Sequence, residues 1–93
     1  MKVILAPRAT RDWRAIAAYI RNENPSAAQA MLSLIFASIE KLSEHPRMGR
    51  RLNAAGAGRM PISRTPYIAF YRIAGKEVPI LHARDGRRKP FRT

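Results

Sequence analysis

Residues 9–46 read ATRDWRAIAAYIRNENPSAAQAMLSLIFASIEKLSEHP, and the placing of the apolar residues in this stretch decides what kind of domain the chain builds. Ala9, Trp13, Ile16 and Ile20, with Ala17 beside them, fall on one helical stripe at steps of three and four. Thr10 is the expected N-cap, and Asp12 falls in the first turn, where the helix dipole favours an acid. Asn22 to Pro25 stop that helix. A second starts at Pro25 and Ser26, with Gln29 placed three residues after Ser26 in capping-box spacing. Its stripe is Ala28, Leu32, Ile35, Ile39 and Leu42, and Pro46 ends the turn that follows. Two helices joined by so tight a link form an antiparallel hairpin whose apolar side needs another layer to cover it.

The flanks supply that layer. MKVILA, residues 1–6, is a short β-branched run closed by Pro7 and reads as a first strand. Residues 47–58, RMGRRLNAAGAG, show no period and read as a loop, with GAG a flexible turn that lacks the Lys and Ser/Thr of a phosphate loop. RMPIS (59–63), YIAFYRI (67–73) and VPILHA (78–83) read as strands, the last two joined by AGK in a hairpin turn. Proline cannot donate to a ladder, so Pro61 and Pro79 belong at edges or bulges. The expected order is β-α-α-β-β-β, an α+β fold with the helical hairpin packed on one face of a small, mostly antiparallel sheet. The 93 residues suffice for a single domain, 1–93, with a basic tail from about residue 85.

Charge is the strongest compositional feature. The formal net charge is +12, and residues 47–93 carry +10 of it, with 12 basic side chains against 2 acidic. Only four of the 18 basic residues are lysines, so the planar fork that grips phosphate and carboxylate dominates. A domain this small and this basic expects a polyanionic partner, nucleic acid or an acidic protein segment; a merely solvated basic surface is the plainer reading. The absence of cysteine removes disulfides and thiolate chemistry and fits a reducing compartment. The apolar run at the N-terminus is shorter than a signal-peptide core or a membrane span, so a cytoplasmic protein is expected.

Four stretches, taken in order, resemble the RelE/ParE superfamily, the toxic halves of bacterial type II toxin–antitoxin pairs. They are A..D...I..YI at Ala9, Asp12, Ile16, Tyr19 and Ile20; NP.AA at Asn24 to Ala28; L..HP..GR at Leu42 to Arg50; and YI..YRI...EV.ILH.R at Tyr67 to Arg84. The likeness spans nearly the whole chain, and HP..GR with YI..YRI is closer to the ParE branch. That branch implies a growth inhibitor of DNA gyrase held silent by an acidic, otherwise disordered antitoxin tail in a hetero-oligomeric complex, with no cofactor. The RelE branch implies instead an endoribonuclease that cuts messenger RNA on the ribosome. A basic interaction or nucleic-acid-binding domain without toxicity is the third reading.

Cutting RNA through the 2′-hydroxyl needs a base, an acid and cations on the phosphate. Arginines abound for the last role, but acids and bases are scarce in the basic half. Glu77 sits beside a hairpin turn, and Asp85 reads as the charge partner of Arg84. If the chain is RelE-like, His82, Arg84 and Arg64 are its catalytic candidates, although a histidine at a strand end is also a natural packed side chain. RelE-like centres tend to use lysines and a late tyrosine, whereas here Phe91 follows GRRKP. His45 reads as a helix-end residue. Tyr67 and Tyr71 share one face of their strand and suit a core. No metal-ligand spacing is present. The expected partner-binding set is Trp13, Arg59, Arg64, Tyr71, Arg72, Arg84, Arg87, Arg88 and Lys89. Within it Arg84, Arg87, Arg88 and Lys89, with Arg92, form a basic lip for acidic protein, and Trp13 marks a second, apolar surface on the helical hairpin.

Overall fold

The computed structural model describes residues 1–53 and 56–87. Strand β1 (Lys2–Leu5) leads into helices α1 (Pro7–Glu23) and α2 (Pro25–Glu44), and strands β2 (Arg50–Arg51), β3 (Ala57–Pro61), β4 (Tyr67–Arg72) and β5 (Glu77–Asp85) follow. The sheet order is β1-β5-β4-β3-β2. β1 runs parallel to β5 and every other pairing is antiparallel, so the expected α+β layout stands with one short strand added.

Both helices begin earlier than their polar caps would have them. In α1 the N-cap is Ala6, extended at φ −63° and ψ 155°, and Pro7 takes the first helical position. Proline suits that position because its nitrogen has no hydrogen to leave unpaired and its φ is already helical. Thr10 therefore lies inside the helix, its N–H donating to Ala6 O at 3.0 Å, and Asp12 is carried beyond the first turn. In α2, Asn24 is the N-cap and Pro25 follows. The Ser26 hydroxyl donates to Asn24 Oδ1 at 3.3 Å, and no side chain caps the helix. Asn24 also closes α1, its N–H donating to Ile20 O at 2.8 Å, so one residue turns the hairpin. His45 ends α2 as expected, donating its N–H to Lys41 O at 2.8 Å.

The helical stripes meet the sheet as their spacing requires. One apolar cluster joins Ala9 and Leu42 to Met60, Ala69, Tyr71, Val78 and Ile80; a second joins Ile20, Ala28 and Ile35 to Ile62 and Tyr67, with Trp13 packed against both. Tyr67 and Tyr71 thus face the helices.

The stretch 47–58, expected to be a loop, contains β2 and the start of β3. Gly58 is buried and pairs with Tyr71. A Cβ on Gly58 would stand 2.6 Å from Tyr71 Cζ, and one on Gly49 would run into the same hydroxyl. These two glycines leave room for a ring; only Gly56 in this stretch, at φ 92°, serves as a turn glycine. The hairpin glycine Gly75 has φ 63°, as AGK requires.

Pro61 ends β3 beyond the reach of β2, an edge position. Pro79 departs from expectation: it lies inside β5, between β1 and β4, and pairs with Ile4. Lys2 N–H reaches Lys76 O and Ala6 N–H reaches Ile80 O, so the even-numbered residues of β5 turn their polar groups to β1. The Pro79 nitrogen points the other way, toward β4, where it has no hydrogen to give to the ladder.

Candidate functional site

The side of the sheet turned away from the helices is built by strand alternation. Arg50 pairs with Arg59, Arg59 with Phe70, and Phe70 with His82, so these four form one row across four strands. Arg72 and Arg84 flank the row, each two residues along its strand. His82 is interior to β5, because the strand continues to Asp85 where a strand end was expected at Ala83. Its ring stacks on Phe70 with centroids 4.4 Å apart and planes 12° from parallel. The Arg84 guanidinium carbon lies 5.3 Å from the Phe70 centroid, within cation–π reach.

The surroundings of His82 disfavour its protonated form. Burial lowers its pKa most, and the positive charges of Arg8 and Arg84 act in the same direction against the opposing effect of Asp12. Its Nδ1 and the Nε of Arg59 are covered and have no hydrogen-bond partner.

The carboxylates are engaged elsewhere. Asp12 Oδ2 accepts the N–H of Ala83 at 3.0 Å, on the side of β5 where β1 has already ended, and Arg8 Nε stands 3.9 Å from the same oxygen. Asp85 holds Arg87 through side-chain contacts of 2.9 and 3.2 Å and a backbone contact of 2.8 Å. Arg87 thus carries its own counter-ion. Glu77 is at the hairpin end of β5, opposite Lys2. Glu23, Glu40 and Glu44 are on the helices.

The remaining expected site residues scatter. Arg64 is exposed on the β3–β4 turn with a left-handed backbone, φ 66°. Tyr71 is 3% exposed, and burial raises its pKa against a smaller opposing bond from the Gly49 backbone. Its ring is core, and its edge reaches a groove at the β2 corner that Arg47 and Arg51 also line. Arg88, Lys89, Phe91 and Arg92 lie outside the described residues.

Trp13 lines a groove of about 450 Å³ along α1 and α2, with Leu32, Ile39 and Phe36 as its apolar wall and Arg14 and Arg21 on its rim. Phe36 is 64% exposed, and the Trp13 Nε1 is covered without a partner. Sequence reasoning missed Phe70, Arg50 and Phe36. Alternation from the core residues Tyr67 and Tyr71 already placed Phe70 on the opposite face. Among the described residues no three His, Cys, Asp or Glu side chains come together as a metal site, and no helix is long and apolar enough to cross a membrane.

With this arrangement in hand, residues 3–90 match the family described as ParE toxin of the type II toxin–antitoxin system parDE. The chain belongs to the ParE toxin family. A Caulobacter vibrioides protein named Toxin ParE3 is 35% identical over 66 residues, covering 71% of this chain and 66% of that one. Toxin RelE1 of the same organism is 27% identical over 79 residues, covering 84% and 85%. Among solved structures, one titled as the chromosomal ParDE TA system from P. aeruginosa superposes with a TM-score of 0.75 at 24% identity, covering 89% of this chain and 92% of that one, a likeness of fold. The chain is therefore a type II toxin of the RelE/ParE superfamily with the ParE-family fold.

Proposed function

We propose that this ParE-family toxin inhibits DNA gyrase in the cytoplasm by binding, without cutting nucleic acid, and that an acidic antitoxin silences it in a hetero-oligomeric complex. The observation that supports binding over cleavage is the chemistry of the open sheet face. Cleavage of RNA needs one group to take a proton and another to give one. Arginine stays protonated throughout the working range of pH, so Arg50, Arg59, Arg72 and Arg84 can stabilise charge but cannot shuttle protons. His82 alone remains for that work. It is pressed flat on Phe70.

The groove beside Trp13 suits the antitoxin. An amphipathic segment can lay apolar residues on Leu32, Phe36 and Ile39 while its acids meet Arg14 and Arg21. Acidic residues beyond that segment would meet the lip at Arg84 and the basic residues after it, through salt-sensitive contacts. Unchanged antitoxin affinity after Arg87→Ala with Arg88→Ala would remove the lip from this account.

The test is a plasmid cleavage assay with purified gyrase and ATP. Accumulation of gyrase-linked broken plasmid, prevented by antitoxin, is the expected result; none with folded protein would contradict it. A RelE-like endoribonuclease is the second reading, favoured by the imidazole of His82 standing two residues from Arg84 on β5. It requires His82→Ala to abolish growth arrest while folding and antitoxin binding persist.

A further inference from the structure

Charge separates the grooves of this chain. The one beside Trp13 is walled by apolar side chains, and the one between α1 and the end of β5 mixes Arg84 with Asp12 and Asp85. The groove at the β2 corner differs from both: it encloses about 470 Å³ and is lined by Arg47 and Arg51 with no acid among its residues. Both arginines are exposed, and neither forms an ion pair with another described residue. Arg51 is nonetheless held in place. Its Nε donates to Asn53 O at 3.1 Å, which leaves the two terminal nitrogens of the fork for another acceptor. Gly49, Gly56 and Gly58 bring bare main chain to the groove, while Pro46, Ile73 and the edge of Tyr71 add apolar surface. Tyr71 brings no competing negative charge, because burial raises the pKa of its phenol further above neutrality.

The occupant follows from what the groove lacks as well as from what it holds. A peptide docks by adding a strand to a sheet edge or by laying a helix on a row of apolar side chains. Strand β2 offers an edge of two residues, too short to hold a partner strand, and the groove has no apolar row along a helix. A compact anion with a flat apolar body suits it better. Arginine forks grip phosphate oxygens in pairs, and the guanidinium plane also stacks on aromatic rings. A nucleoside phosphate supplies both, an anionic head for the forks and a planar base for the apolar surface, and a groove of this volume is in the range that takes a small ligand. We propose that the β2 corner groove binds a nucleoside phosphate, with its phosphates on Arg47 and Arg51 and its base against Pro46, Tyr71 and Ile73. These residues belong neither to the Trp13 groove nor to the open-face row, so the site stands whichever target the toxin acts on.

The experiment titrates the antitoxin-free full chain with ADP by isothermal calorimetry, without divalent cations, and repeats the titration with adenosine and with inorganic pyrophosphate. Arg47→Gln with Arg51→Gln removes the two forks, and Arg50→Gln with Arg72→Gln removes the same charge from the opposite face of the sheet. All four side chains are exposed, so neither pair threatens the fold, and melting without ligand checks this. ADP is expected to bind more tightly than adenosine or pyrophosphate. The groove pair should weaken it about tenfold or more, because bonds to a charged acceptor are lost, while the opposite-face pair should change it by about threefold or less. Saturating ADP should also raise the melting temperature of the parent chain and not that of the groove pair. Neither heat of binding nor a melting shift with ADP would overturn the proposal, and so would equal losses from both pairs, which would reduce the effect to net charge. Pyrophosphate binding as tightly as ADP would leave an adventitious anion only, with no place for a base. Tighter binding of an acidic peptide or of a single-stranded oligonucleotide through Arg47 and Arg51 would give the groove to a macromolecule and overturn the proposal as well.

Discussion

Replacing Gly58 by alanine tests whether the β2–β3 corner is shaped around one ring. A Cβ at position 58 stands 2.6 Å from Tyr71 Cζ and 2.7 Å from its oxygen, well inside ordinary contact distance. The ring has no room to retreat, because it is 3% exposed and its hydroxyl is already against Gly49. Overpacking of this kind costs about 1–3 kcal/mol. With a value near 2 kcal/mol, the melting temperature of a domain this size falls by about 8–16 °C. The partner variant Tyr71→Val removes the ring and is itself destabilising by roughly 3 kcal/mol. In that background Gly58→Ala meets nothing and gains about 0.5–1 kcal/mol from the reduced freedom of the unfolded chain. The double-mutant cycle should therefore show a coupling of about 3 kcal/mol, read from denaturant midpoints at constant slope. Tyr71→Phe, which keeps the ring, should not rescue. Equal cost of Gly58→Ala in both backgrounds, or a cost below about 0.5 kcal/mol in the parent, would refute the reasoning.

Asp12 substitutes for a missing strand neighbour at Ala83, so Asp12→Ala should destabilise by about 2 kcal/mol and Asp12→Asn, which keeps an acceptor, by less, as measured by urea unfolding. The folded-state pKa of His82 lies below its unfolded value near 6.5, so the unfolded chain takes up the proton first. Stability is thus expected to be lost as pH falls from 6.5 through the folded pKa, and His82→Gln should flatten that part of the profile. Arg64 is exposed at φ 66°, where a side chain costs about 1–2 kcal/mol. Arg64→Gly should raise stability by roughly 0.5–1 kcal/mol and Arg64→Val should lower it, in the same unfolding assay.

How far the sequence was legible varied with the range of the physics involved. The helical stripes were readable because burial at Ile20, Ala28, Ile35 and Leu42 follows a period set by the helix itself. The caps were misread for a local reason: Thr10 and Ser26 are good caps, but Pro7 and Pro25 fix the first turn before either can act. Gly58 was misread for a longer-range one. Its partner is 13 residues away, and nothing in AAGAG distinguishes a glycine that bends the chain from one that yields space to a ring.

The open face was the least legible, and the cause is a single residue. Val78 and Ile80 are core, so strict alternation would send His82 into the core and Ala83 outward. The register instead passes from Tyr71–Ile80 to Phe70–His82, leaving Leu81 as an extra residue in β5. Such a bulge exchanges the two faces beyond it. Ala83 turns inward against Ala69, while His82 and Arg84 turn outward onto Phe70. Asp12 reinforces the exchange from α1 by accepting the Ala83 N–H just past the shift. The acid of the A..D...I..YI stretch and the histidine of ILH.R are thereby two ends of one device. Without the bulge His82 and Arg84 would leave the Arg50–Arg59–Phe70 row, and the basic residues would be divided between the two faces of the sheet instead of gathered on one.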